Sequence, residues 1–203
     1  MKKNMSKERN LEGPRAWTGF TFGEGNLLDF SVYGPRQRPD MAFHRFCKAV
    51  IDHEPIRIYG DGYQTRDYTY VSDVVEATVS SATASGAVGE IMNIAGGSRT
   101  TVHDAVQILR DVAGSPINIA FEEIQHGDVS DTFADTSRAQ QVIGYHPRRT
   151  LTEGLINEFE SMLSLYTTLH RAPSNRIDPK VRLKTYSDFN TGNRRLFHLP
   201  RHI

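Results

Sequence analysis

Residues 27–163 are predicted to adopt an α/β fold, and three patterns in the sequence support that prediction. Short segments alternate apolar and polar residues, as Ile56 and Ile58 do on either side of Arg57, which is the two-residue period of a strand. Longer segments repeat apolar residues every three or four positions, which is the period of an amphipathic helix. Glycines and prolines separate the two kinds of segment, so strands and helices are expected to alternate along the chain.

The predicted elements follow an N-terminal segment, residues 1–26, that stays unassigned. Its Gly19, Gly23 and Gly25 lack the spacing of a dinucleotide-binding turn, so they are predicted to lie in a loop. The predicted strands are short and rich in β-branched or aromatic residues, and they cover 27–33, 56–59, 69–71, 91–94 and 117–121. The predicted helices each have one apolar face, and they begin at Asp40, Val74, Val102, Ser137 and Leu151. Capping boxes are predicted in front of three of these helices, at 73–76, 101–104 and 150–153.

The stretch from Pro55 to Asp73 combines a strand, a glycine turn, an arginine, a second short strand and a helix start. Gly60 and Gly62 supply the positive-φ positions that a sharp reversal needs. Arg66 follows that turn and can present a planar guanidinium to an anion. The spacing alone allows equally that Arg66 pairs with Asp67 or with another carboxylate of the protein.

The chain has 203 residues and no net charge, but its charges are unevenly distributed. Residues 27–163 carry 11 Lys/Arg against 19 Asp/Glu, whereas residues 164–203 carry eight against two. No helical period continues beyond Leu163, so this basic segment is predicted to be a solvated, poorly ordered tail, and it gives no clear signal for nucleic-acid binding. The sequence contains neither an apolar run of about 18 residues nor a signal-peptide core, so a cytoplasmic chain without membrane contact is expected.

The cysteine and histidine content argues against disulfides and metals. The single cysteine, Cys47, excludes an intramolecular disulfide, and its position in an apolar helical pattern predicts a buried, inert thiol. The eight histidines show no pair at metal-ligand spacing, so no metal site is predicted.

A series of short sequence blocks lies in a particular order between Leu27 and Met162. These blocks are Ser31–Phe46, Pro55–Asp73, Asn93–Gly97, Gly127–Val129, Ala134–Asp135 and Gly144–Pro147. In this order they resemble the NAD-dependent nucleotide-sugar epimerase/dehydratase family, which belongs to the extended short-chain dehydrogenase/reductases. The resemblance is strongest to UDP-glucose and UDP-glucuronate 4-epimerases.

The resemblance implies the C-terminal substrate-binding half of such an enzyme, a small mixed sheet with helices, with the Rossmann half largely missing. The family's NAD loop and its catalytic Tyr-x-x-x-Lys pair have no counterpart in this sequence. We therefore assign no catalytic residue, and we expect the chain to bind a UDP-sugar without binding NAD or performing catalysis on its own. The alternative is a non-enzymatic nucleotide-sugar-binding module, or a subunit that completes a separate Rossmann chain. The family also implies a homodimer as a further partnership.

The resemblance assigns four substrate-binding residues around the nucleotide. Arg66 matches the family arginine that binds the diphosphate, and Gln125 falls where the family places an arginine or glutamine against the same group. Asp128 matches the acidic residue near the nucleoside ribose, where a carboxylate accepts hydrogen bonds from hydroxyls. Tyr59 lies on the strand that flanks the base, although a packed tyrosine fits its position equally well.

Two further residues resemble those of uronate epimerases near the sugar. Ser31 is the hydroxyl residue of the first block, and Arg38 belongs to its Arg-Pro-Asp sequence. A guanidinium at this position suits a carboxylate at C6 of the sugar, so a UDP-uronic acid is one expected substrate and a UDP-hexose the other. The alternative is that Arg38 pairs with Asp40 or caps the following helix region.

Asp29 departs from the family pattern. The family has Leu-Arg-Phe-Phe before the hydroxyl residue, whereas this chain has Leu28-Asp29 in place of Arg-Phe. The strand is expected to be buried, so a carboxylate there is costly unless a partner compensates it.

Overall fold

The computed structural model of the chain describes residues 17–22, 25–124 and 128–169. These residues fall into two compact units. The first unit comprises the described parts of 17–32, 57–103 and 121–148, and the second comprises 33–56, 104–120 and 149–169. Over the described residues, no helix has the length and apolar character that crossing a membrane requires.

The elements form a mixed α/β fold, as predicted. The strands are β1 (Trp17–Phe22), β2 (Gly25–Phe30), β3 (Val32–Tyr33), β4 (Ile56–Tyr59), β5 (Thr65–Asp67), β6 (Thr69–Tyr70), β7 (Ile91–Ile94), β8 (Arg99–Thr101) and β9 (Ile119–Glu122). The helices are α1 (Ala42–Ile51), α2 (Val71–Thr83), α3 (Val102–Ala113), α4 (Ser137–Ile143) and α5 (Leu151–Leu169). A 3-10 turn covers Ser85–Ala87.

The first unit is built on a three-stranded sheet in the order β1-β2-β7. β1 pairs antiparallel with β2, and β2 pairs parallel with β7, so that Asp29 lies opposite Ile94. The predicted loop at Gly19 and Gly25 is therefore wrong, because these residues lie in β1 and β2. The local pattern did not reveal the hairpin, since its glycines are typical of loops and its pairing depends on the neighbouring strand.

The core of the first unit lies between the sheet and two helices. Its buried side chains come from β2, α2, the 3-10 turn, β7, α4 and the segment after α4, and they are Leu27, Val74, Ala77, Ala87, Met92, Ile94, Ala139 and Tyr145. α4 ends where predicted, because Gly144 adopts a left-handed conformation with φ of 66° and its N–H donates to the Gln140 carbonyl at 3.1 Å. Tyr145 then donates its hydroxyl to the Ala95 carbonyl at 2.8 Å, which fixes the chain after α4 against the end of β7.

The start of α2 corrects one prediction. The helix begins at Val71, so Asp73 lies in its first turn and is not the N-cap of a capping box. The Asp73 carboxylate is buried and accepts a hydrogen bond from the Arg148 N–H at 3.2 Å. Val75 and Val79 on the same helix are 56% and 61% exposed. The Asp73 carboxylate is thus used in a long-range contact with Arg148, which a local sequence pattern does not contain.

The second unit contains α1 and α5, which pack against each other. The predicted capping box of α5 is confirmed: the Thr150 N–H donates to Glu153 Oε2 at 2.9 Å, and the Glu153 N–H donates to Thr150 Oγ1 at 3.2 Å. α5 extends to Leu169, six residues beyond its predicted end at Leu163. Cys47 on α1 is buried, as predicted, and burial raises the pKa of its thiol well above the ordinary value.

Asp29 is buried in β2, and neither of its carboxylate oxygens has a hydrogen-bond partner. Burial raises the pKa of this carboxyl from 3.8 to about 6. The folded state therefore holds a proton that the unfolded state releases, so this group destabilises the fold progressively as the pH rises from about 4 to about 6.

Asp29→Asn is expected to remove that pH dependence, because an amide does not ionise. Above pH 6.5 the variant is expected to be more stable than the parent protein by up to about 3 kcal/mol, the free energy equivalent of the pKa shift. Urea unfolding between pH 4 and pH 8 measures this effect, and Asp111→Asn serves as the control because Asp111 is exposed on α3. Equal pH dependence in Asp29→Asn and the parent protein would contradict the interpretation.

Candidate functional site

Arg66 lies at the centre of β5, directly after the glycine turn that the sequence predicted. Gly60 and Gly62 have φ values of 74° and 79°, and Gln64 Nε2 closes the turn by donating to the Tyr59 carbonyl at 2.9 Å. β5 pairs antiparallel with β8 so that Arg66 lies opposite Thr100. The turn and the strand pair together fix the backbone from which the guanidinium extends.

The structure brings together two of the predicted site residues, Arg66 and Asp128. Arg66 Nη2 donates to Asp128 Oδ1 at 2.5 Å, and Arg66 Nη1 donates to the Thr65 carbonyl at 2.8 Å. The Arg66 side chain is 16% exposed and that of Asp128 is 34% exposed, so the pair is partly shielded from solvent. A guanidinium has five N–H donors, so these two bonds leave donors for an anionic ligand.

Asp67 is not the partner of Arg66. Its carboxylate is fully buried: Oδ2 accepts the Ala134 N–H at 3.4 Å, Oδ1 has no hydrogen-bond partner, and burial raises the pKa of the group above the ordinary value. The bond from Ala134 attaches β5 to the segment that leads into α4. Since neighbouring strand residues point to opposite faces, Asp67 is directed inward while Arg66 is directed to the other side.

A loop following residue 128 places the acidic partner beside β5. The Thr65 N–H donates to the Ser130 carbonyl at 2.9 Å, and the Thr132 N–H donates to the Thr65 carbonyl at 3.2 Å. The Thr65 hydroxyl also donates to Asp131. These bonds extend the edge of β5 over a separation of more than sixty residues in sequence, and they hold Asp128 within reach of Arg66.

Tyr68 is a candidate site residue that the sequence analysis missed. Burial raises the pKa of its hydroxyl to about 12, with smaller electrostatic contributions from Arg66 and Asp128. The phenol therefore remains protonated at neutral pH and can donate a hydrogen bond. Its position two residues after Arg66 in an extended segment was the available signal, since such residues share a face.

Tyr59, Ser31 and Gln125 are the other site residues predicted from the sequence outside the Arg38 loop. Tyr59 is half-buried at the end of β4, where it fits both the base-flanking and the packed interpretation. Ser31 is half-buried between β2 and β3, with φ of 43°, and its carbonyl accepts the Thr69 N–H at 3.3 Å. This backbone conformation interrupts the single strand predicted over 27–33. Gln125 lies outside the described residues.

Arg38 belongs to the second unit, where it pairs with Asp40. Nη2 of Arg38 lies 2.9 Å from Asp40 Oδ2, and the two side chains are 71% and 68% exposed. The structure thus has the pairing that the sequence analysis gave as the alternative. An exposed pair of this kind is weak, so the predicted contact with a sugar carboxylate stays a prediction.

The described residues show no group of three or more His, Cys, Asp or Glu side chains suited to a metal ion. The glycine turn after β7 does not fit NAD either. The Tyr68 carbonyl oxygen and an Asp67 carboxylate oxygen lie against Gly96, and both would repel a pyrophosphate there.

Comparison with known proteins finds a family match for part of the chain. Residues 25–95 match the model of the NAD dependent epimerase/dehydratase family. Over these residues, which are called the epimerase/dehydratase segment below, the chain is similar to that family. The resemblance inferred from the sequence blocks is thereby confirmed, and this epimerase/dehydratase segment contains β2 through β7, including Arg66.

Relatives of the epimerase/dehydratase segment extend the similarity beyond residue 95. The uncharacterized UDP-glucose epimerase YtcB of Bacillus subtilis is 42% identical over 140 residues, which make up 69% of this chain and 44% of that protein. The UDP-glucuronate 4-epimerase of Thermodesulfobacterium geofontis is 36% identical over 62% of this chain and 39% of its own length. The chain thus spans less than half the length of these relatives.

Solved structures show the same similarity. The UDP-glucuronic acid 4-epimerase of Bacillus cereus, crystallised with UDP-glucuronic acid and NAD, superposes with a TM-score of 0.67 at 38% identity. The superposition covers 69% of this chain and 45% of that enzyme.

Proposed function

We propose that the first unit binds a UDP-sugar, with the diphosphate at Arg66 and a ribose hydroxyl at Asp128. The observation that carries this proposal is the partly shielded Arg66–Asp128 pair, in which a cation and an acceptor lie 2.5 Å apart. Arg66 lies on β5, and hydrogen bonds between Thr65 and the loop after Asp128 hold the two residues together. The names of the relatives supply the ligand class, because they include UDP-glucose and UDP-glucuronate epimerases. Gln125 is proposed as a second contact to the diphosphate.

The chemistry of the pair suits both parts of a nucleoside diphosphate. A phosphate oxygen takes the guanidinium donors that the Thr65 carbonyl and Asp128 leave unused. Asp128 has a second carboxylate oxygen that accepts hydrogen bonds from sugar hydroxyls.

We further propose that residues 27–163 correspond to the substrate-binding half of the relatives and that this chain alone performs no hydride transfer. None of its eight tyrosines is followed four positions later by lysine. The Asp67 carboxylate lies against Gly96 and would repel a pyrophosphate at that turn, which supports the same conclusion for NAD.

A thermal unfolding assay with separate ligands tests this function. UDP-glucose at about 100 times its Kd is expected to stabilise the folded chain by about 2.7 kcal/mol, and uridine is expected to stabilise it less because it lacks the diphosphate. NAD at the same concentration is expected to leave the melting temperature unchanged. A shift with NAD and none with UDP-glucose would overturn the proposal.

A further inference from the structure

Glu158 is a buried carboxyl group on α5 that the proposed function does not use. It is 1% exposed, its Oε2 accepts the Gly34 N–H at 3.0 Å, and its Oε1 has no hydrogen-bond partner. The titratable group that faces it from α1 is the Cys47 thiol, and the Tyr33 hydroxyl is engaged by the Thr150 carbonyl at 3.4 Å. In the described part of the second unit, no lysine or arginine forms an ion pair with Glu158.

Gly34 begins a loop of two consecutive turns, residues 34–41, that leads into α1. The Gln37 N–H donates to the Gly34 carbonyl at 3.0 Å, and the Met41 N–H donates to the Arg38 carbonyl at 3.1 Å. Gln37 Oε1 accepts the His44 N–H at 2.9 Å, which attaches the loop to the first turn of α1. At its N-terminal end the loop is held by the hydrogen bond that the Gly34 N–H donates to the Glu158 side chain.

The backbone of this loop is strained, so its conformation depends on such attachments. Gly34 has φ of 134°, and Arg36 has φ of 68°, a left-handed conformation that is unfavourable for a residue with a side chain. Arg36 and Arg38 are both exposed, and their charged groups do not contribute a buried anchor. The Gly34–Glu158 hydrogen bond therefore helps to hold the loop, and with it Arg38, in the observed conformation.

We propose that Glu158 is a positioning residue that holds the 34–41 loop, and with it Arg38, through a contact that depends on its proton. The neutral carboxyl remains buried against Gly34. The ionised carboxylate gains from hydration, so it favours conformations in which the loop has moved away and water reaches the group. The inference does not depend on the proposed nucleotide-sugar function, because the loop can be followed without a ligand.

The direction of the pH effect follows from linkage. Burial raises the pKa of Glu158 from 4.5 to about 8, against the smaller lowering by the Gly34 N–H. The open loop exposes the carboxyl and returns its pKa to the ordinary range. The closed state is thus most strongly stabilised at pH values below the ordinary pKa of 4.5, and this stabilisation is lost as the pH rises toward 8. Between these two pH values the population of the open loop grows about tenfold per pH unit, and above the higher value it levels off.

Hydrogen exchange at the Gly34 amide, followed by NMR on the full chain from pH 5 to pH 7.5, tests the proposal. Base-catalysed exchange alone gives a slope of about one for the logarithm of rate against pH, and the opening of the loop adds about one more. We expect a slope near two for the parent protein and near one for Glu158→Gln, which keeps an acceptor but does not ionise. In Glu158→Leu, at least tenfold weaker protection of Gly34 is expected at pH 6.

The Glu54 amide provides an internal control, because it donates to the Ala49 carbonyl at 2.8 Å in the same unit but outside the loop. Its slope is expected to be about one in all three proteins. Equal slopes for Gly34 in the parent protein and Glu158→Gln would overturn the proposal. Unchanged protection of Gly34 in Glu158→Leu would also overturn it, and the Gln variant decides the matter if the Leu variant does not fold.

Discussion

Arg66→Lys is expected to weaken the binding of UDP-glucose by about 10- to 100-fold while leaving the fold intact. Lysine keeps the charge, but it is a point charge without the planar fork that can bond Asp128, the Thr65 carbonyl and a phosphate together. The expected loss equals one hydrogen bond to a charged group, about 1.5–3 kcal/mol. Isothermal titration calorimetry of the two proteins with UDP-glucose measures the difference directly.

Arg57→Lys is the matched control for this substitution. Arg57 also lies in the first unit and also pairs with a carboxylate, Glu122, at 3.2 Å, but its side chain is 67% exposed. This variant is expected to bind UDP-glucose with unchanged affinity. If both lysine variants lost affinity equally, the loss would not be specific to Arg66. The proposed contact of Arg66 with the diphosphate would then be wrong.

Gly96→Ala is expected to destabilise the first unit by about 3 kcal/mol or more, within the range of severe overpacking. A Cβ at this position would lie 2.0 Å from the Tyr68 carbonyl oxygen and 3.4 Å from an Asp67 carboxylate oxygen. The obstacle is backbone, so a rotamer change cannot relieve it. The required shift would also move the strand that carries Arg66, so weaker UDP-glucose binding should accompany the lower stability.

The control for this prediction is Gly86→Ala. Its added Cβ would lie 3.8 Å from Val142 Cγ1, which is an ordinary contact, and Gly86 has no positive φ. Urea unfolding is therefore expected to show a change of less than about 1 kcal/mol for Gly86→Ala. Equal stability of the two alanine variants would show that the Tyr68 carbonyl oxygen does not lie as close to Gly96 as described.

Local sequence signals predicted the elements whose ends are determined locally. Gly144 ended α4 and the Thr150–Glu153 box began α5, because each device acts within one turn of helix. The same kind of signal failed at Asp73, whose carboxylate is taken by Arg148 across the unit. It failed also for β1, because its glycine, Gly19, has no local reason to be extended.

The candidate site was predictable to a different extent. Arg66 stood out by its position after a glycine turn, but its partner did not, because Asp128 is brought to it by loop bonds to Thr65 that no periodicity encodes. The family resemblance supplied Asp128, whereas spacing alone left Asp67 as an equal choice. Tyr68 was missed although its alternation with Arg66 was visible, since a buried phenol is usually a packing residue.

The most direct test of the central claim is a calorimetric titration of the full chain with UDP-glucose in the absence of NAD. The arrangement of Arg66 and Asp128 predicts saturable binding of one ligand per chain, and it predicts weaker binding when uridine, which lacks the diphosphate, replaces UDP-glucose at the same concentration. A folded protein that gives no heat with UDP-glucose would contradict the account.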